Sequence, residues 1–140
     1  MRIIKFRCWN KEKEKMYDWE TITGAKADGT IYWISLQDNK NILMQFTGLL
    51  DKNGTPIFEG DLLREPAKEK WDEINYVIYE VFFHDNDCAD NHIGWQMNRT
   101  HYVGSICGTQ HFPQFLPKNT SRMEIIGNIY ENPELLTNNK

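Results

Sequence analysis

The residues best equipped for chemistry are two cysteines and two histidines at equal spacing. Cys88-x3-His92 and Cys107-x3-His111 offer two thiolates and two imidazoles, the donor set of a tetrahedral zinc site. A familiar finger groups its cysteines together and its histidines together, whereas each pair here mixes the two. The four are therefore read as loop residues, with Cys8, Cys88 and Cys107 as free thiols and no bound zinc expected. A cysteine nucleophile with a histidine base can be written from Cys107 and any histidine, but no local signature accompanies it. Glu59 and Asp61 are two apart, so in an extended segment both carboxylates would face one side, the minimum for acid–base work or a hard cation. An Asp in a Glu-Gly-Asp turn more simply accepts hydrogen bonds from nearby amides. No further carboxylate or histidine is placed by motif to converge on the pair. There is no Gly-x-Gly-x-x-Gly, phosphate-binding loop or His-Glu-x-x-His. No catalytic residue, metal ligand or cofactor is assigned, and the chain is expected not to be an enzyme.

These residues hang on β-strands. Gln45 to Leu63, QFTGLLDKNGTPIFEGDLL, reads as strand, turn, strand, turn, strand. Asp51-Lys52-Asn53-Gly54 supplies a reversal in which Asn and Gly take positive φ. Pro56 cannot donate to a ladder, so Ile57-Phe58 belongs at a sheet edge. Upstream, Ile4, Phe6 and Cys8 alternate with Lys5 and Arg7, the period of a one-faced strand. Asn10 to Lys15 is a solvated hairpin loop, Met16 to Trp19 resumes an extended pattern, Gly24 to Gly29 is a second connection, and Thr30 to Leu36 is a strand. With Ile42 to Phe46 these form an antiparallel meander.

Downstream, Arg64 to Asn75 is a charged break within which Ala67 to Ile74 could wind into a short helix after Pro66. Tyr76 to His84, YVIYEVFFH, is rich in β-branched and aromatic residues on both faces and reads as the central strand of the second half. Asn86 to Asn91 is a loop and Ile93 to Met97 a short strand. Arg99 to Ser121 is irregular, with a further strand around Tyr102 to Ile106. Met123 to Tyr130 is the last strand, with Gly127 at a bulge. Asn132-Pro133-Glu134 starts a helical turn with a capping side chain. The last four residues, TNNK, read as a frayed end.

The 140 residues suit one domain. The net charge of −4 argues against bulk electrostatic binding of nucleic acid, which needs Lys and Arg facing phosphates. No apolar run approaches the roughly 20 residues that cross a bilayer. The charged start MRIIKFR is unlike a signal peptide. An odd, scattered cysteine count fits a reducing compartment.

Three blocks, IKFRCWN with Lys15-Met16, QFTGLLDKNGTPIFEGDLL and IIGNIYENPELL, resemble the YopX-like family of phage and prophage proteins. The resemblance implies a β-rich fold containing a small SH3-like barrel, and a phage or prophage protein in the cytoplasm of a bacterial host. It carries no catalytic residues. The expected architecture is mainly β, a single 1–140 domain with a meander part (1–46), a barrel part (47–136) holding an irregular insertion (86–121), and a short C-terminal helical turn. The expected function is binding of a host or phage protein, with self-association as a further expectation. The alternative is a nucleic-acid-associated module using Arg99, His101, His111, Lys118 and Arg122.

Overall fold

The computed structural model describes residues 1–24, 39–66, 76–85, 93–101, 115 and 117–137. The alternating start of the chain forms β1 (Phe6–Asn10) and returns as β2 (Lys15–Tyr17). The extended pattern stops there, because Asp18 caps a helical turn, α1 (Trp19–Ile22), by accepting from the Thr21 amide at 2.9 Å. The central stretch follows as β3 (Asn41–Leu50), β4 (Pro56–Phe58) and β5 (Asp61–Pro66). β6 (Tyr76–Asp85) and β7 (Ile93–His101) come next, then α2 (Pro117–Thr120), β8 (Glu124–Asn128) and α3 (Glu134–Thr137).

The strands among the described residues make two four-stranded sheets, ordered β2-β1-β3-β4 and β7-β6-β5-β8. Every pairing is antiparallel. β3 crosses back to lie along β1, with Cys8 opposite Leu43. Register slips fall between Phe46 and Leu50, around Gly48 at φ +89°, between Leu62 and Leu63, opposite Gly127, and between Ile78 and Tyr79. Such bulges bend and twist a strand, and the fold includes one half-barrel.

The core is one cluster: Ile57, Leu63, Tyr79, Val81, Met97 and Met123 are buried together. Ile57 comes from the edge strand of the first sheet, so the two sheets share one core. Leu62, on the other face of β5, is equally buried, which makes β5 a strand covered on both sides. β6 lies between β5 and β7 as expected of a central strand.

Several local expectations change. Arg64 to Pro66 continues β5 instead of breaking it, because its backbone pairs with Tyr76 to Ile78 of β6 while Arg64 meets Glu124 at 2.7 Å and Glu65 meets Arg122 at 3.2 Å at the β8 edge. β7 runs past Met97 to His101, paired to β6 throughout. In the 51–54 turn Gly54 alone takes positive φ, at +79°, and Asn53 does not. Asn132 accepts from the Asn128 amide at 3.3 Å behind it, and its backbone carbonyl receives the Leu135 amide of α3. Most of the Gly24 to Gly29 connection, the Thr30 to Leu36 strand, the Ala67 to Ile74 helix, the Asn86 to Asn91 loop, the Tyr102 to Ile106 segment and residues 138–140 lie outside the described residues. No helix among the described residues is long and apolar enough to cross a membrane.

Candidate functional site: the cleft between the sheets

The Glu59-Gly60-Asp61 turn is where the two sheets join. Gly60, at φ +81°, donates to the Val81 carbonyl of β6 at 2.8 Å and accepts from the Ile129 amide, beyond β8, at 2.9 Å. The Glu59 amide donates to Gln45 of β3 at 3.0 Å. Glu59 and Gly60 together thus tie both sheets and the C-terminal segment. A Cβ at Gly60 would lie 3.4 Å from Ile129, and the positive φ is costly for any side chain.

The two acids flanking Gly60 have different fates. Asp61 is 1% exposed; its Oδ2 accepts the Phe58 amide at 2.8 Å, and its Oδ1 lies 2.6 Å from Nη2 of Arg7 on β1. Arg7 also donates to the Glu59 carbonyl at 3.1 Å and places its guanidinium 5.0 Å from the centre of the Phe58 ring. Burial pushes the Asp61 carboxyl up; Arg7 and the Phe58 amide oppose that, and Glu131 adds to the rise. Asp61 is therefore spent on holding the sheets together.

Glu59 instead borders a cleft of about 90 Å³ beside the turn. Its walls include Ile42, Met44 and Phe82, and its polar groups include Glu80 of β6 and Tyr130, which follows β8. Burial raises the Glu80 carboxyl above its ordinary value. The Tyr130 phenol is raised by burial and then by the negative fields of Glu59 and Glu80, with Arg7 opposing. Tyr130 is held by stacking on Trp9 of β1, centroids 6.1 Å apart and planes 22° off parallel. The cleft is thus built from β3, β6, the joining turn and the C-terminal segment.

The remaining turn polar groups serve the fold. Asp51 accepts from the Asn53, Thr55 and Ile125 amides at 2.8, 2.9 and 3.1 Å. Burial would raise its carboxyl, but these bonds outweigh that and hold it below the ordinary range. Asn128 accepts from the Tyr130 and Glu131 amides at 3.0 and 2.9 Å.

Of the residues weighed from sequence, Glu59 reaches the cleft and Asp61 does not. Cys88, His92, Cys107 and His111 lie outside the described residues. Among the described residues no three His, Cys, Asp or Glu are grouped to hold a metal ion. Arg99 and His101 stand on β7, while Lys118 is on α2 and Arg122 is paired to Glu65 on β5, two strands away from β7. His111 is outside the described residues, and the other four are spread over β7, α2 and the segment before β8. Glu80 and Tyr130 were missed, although a lone acid inside the apolar run YVIYEVFFH is a readable sign of a special environment.

A mainly β, antiparallel fold carrying an acidic, aromatic-walled cleft defines the class. The chain matches the family described as YopX protein over residues 5–137 and belongs to it. A solved structure, protein EF1440 from Enterococcus faecalis, shares the fold at a TM-score of 0.55 and 23% identity, covering 97% of this chain and 99% of that one. No curated protein matches the chain.

Proposed function

We propose that the chain is a phage or prophage accessory protein of the bacterial cytoplasm that acts by binding a protein partner and catalyses no reaction. The phage setting comes from the family resemblance. The observation that carries the binding reading is the division of labour among the motif polar groups. Asp51, Asp61 and Asn128 each accept backbone amides within the fold, while Glu59, Glu80 and Tyr130 border an open cleft with no hydrogen bond or ion pair from their side chains among the described residues. Groups that are positioned but not spent on the fold suit recognition. Small β structures also meet partners through edge strands, and β4, with Pro56 exposed, is at an edge of its sheet.

The nucleic-acid reading has less support. The negative net charge and the scattering of the basic residues weaken phosphate tracking. The test is capture from a bacterial host lysate on the immobilised full chain, with and without nuclease. A protein retained after nuclease supports the proposal. Material that vanishes with nuclease favours the nucleic-acid reading, and turnover of a captured small molecule would overturn the non-enzymatic one.

A further inference from the structure

The cleft beside Gly60 carries more specific information than a generic contact surface. At about 90 Å³ it is far below the roughly 300–1,000 Å³ of cofactor and drug-sized ligand sites. A nucleotide does not fit; a single inserted side chain is the natural occupant. The walls supplied by Ile42, Met44, Phe82 and Tyr130 suit an aliphatic stem, and the two carboxylates fix the charge of its tip.

Glu59 and Glu80 differ from the acids that the strands and turns pair with a cation. Asp61 is matched by Arg7, Glu65 by Arg122, Glu124 by Arg64 and Lys52, and Glu12 by Lys40. The side chains of Glu59 and Glu80 make no ion pair among the described residues; Arg7 reaches only the Glu59 backbone carbonyl. Both border the same cleft and both act on the Tyr130 phenol, with Arg7 opposing them. Burial already disfavours the charged form of Glu80, a cost that an incoming cation at the cleft offsets.

We propose that the cleft receives an arginine side chain of a protein partner, its guanidinium between Glu59 and Glu80 and beside Tyr130. The inference rests on the partner-binding reading and names the chemistry of the contact. Arginine is favoured over lysine because its flat fork can serve two carboxylates and lie against an aromatic ring at once. The protein already uses that recipe internally: Arg7 sits over Phe58 with Asp61 and the Glu59 carbonyl as its acceptors.

The probe is Nα-acetyl-arginine methylamide, titrated into methyl-labelled full-length chain and followed by NMR, with the citrulline and lysine counterparts as controls. The expected result is saturable shifts at the Ile42, Met44 and Ile129 methyls with arginine, weaker ones with lysine and none with citrulline. Glu59→Gln/Glu80→Gln should weaken arginine binding about tenfold or more, a change of about 1.4 kcal/mol, with a melting temperature no lower than that of the wild type. Arginine shifting none of these methyls, citrulline shifting them equally, or lysine binding as tightly as arginine would overturn the proposal. A lysate partner kept equally by wild type and the double variant would overturn it too, while leaving partner binding intact. Arginine binding by a chain that captures no protein would support the cleft chemistry and count against the partner-binding reading.

Discussion

Arg7 of β1 and Asp61 of β5 meet at 2.6 Å with side chains 14% and 1% exposed, and this ion pair links two sheets whose residues are far apart in sequence. Removing one member leaves the other buried and unmatched, typically a loss of about 3–5 kcal/mol. Arg7→Ala should therefore lower stability to urea by about that amount at neutral pH. A loss near zero would mean that the pair does not hold the sheets together.

The same pair sets a pH signature. Burial raises the Asp61 carboxyl in the folded state, so its stabilising contribution is complete below its unfolded value and declines as pH rises through the folded value. Asp61→Asn should hence cost most in acid and progressively less toward neutrality, and Arg7→Ala should recover part of its loss in acid as Asp61 takes up a proton. Urea midpoints that separate further from wild type in the opposite direction would contradict the assignment.

Asp51 has the reverse sign. Its carboxyl is held below the ordinary range by three amides, so it stabilises above the unfolded value and the benefit fades as pH falls through the folded value. Asp51→Ala leaves amides of the turn and of β8 without their acceptor, a cost of about 1–3 kcal/mol. The gap between wild type and variant should narrow in acid, as followed by circular dichroism melts. A pH-independent gap would exclude the carboxylate role.

Gly54 and Gly60 both hold positive φ, but a Cβ at Gly54 meets nothing within 4 Å while one at Gly60 reaches Ile129. Valine at either position should destabilise by about 1–3 kcal/mol, with Gly60→Val the more damaging. At Gly127 a Cβ would run into the Asn132 side chain, so Gly127→Ala and Asn132→Ala should be non-additive in thermal melts. Additive effects would show that the two residues do not touch.

What the sequence made legible was local. The Asn-Gly and Glu-Gly-Asp turns, the edge position of Pro56, the bulge at Gly127 and the Asp61 bond to a nearby amide all follow from how Gly, Pro, Asn and Asp treat their own backbone. The Asp18 cap with its Thr21 partner was local too and went unread, because the apolar spacing of Met16 to Trp19 suggested a strand. Arg64 and Glu65 looked like a break because charge pairing with Glu124 and Arg122 depends on strands that arrive later in the chain. The Arg7–Asp61 pair and the Glu59, Glu80 and Tyr130 cleft are products of sheet packing, to which no short-range pattern points beyond the solitary acid in an apolar strand.

The most direct measurement is hydrogen exchange of the full chain alone and in its captured complex. Binding through the inter-sheet cleft predicts slowed exchange at amides of 42–44, 59–60, 80–82 and 129–131, with the surface of α2 unchanged. Protection confined to β7 and α2, with the cleft amides unaffected, would contradict it.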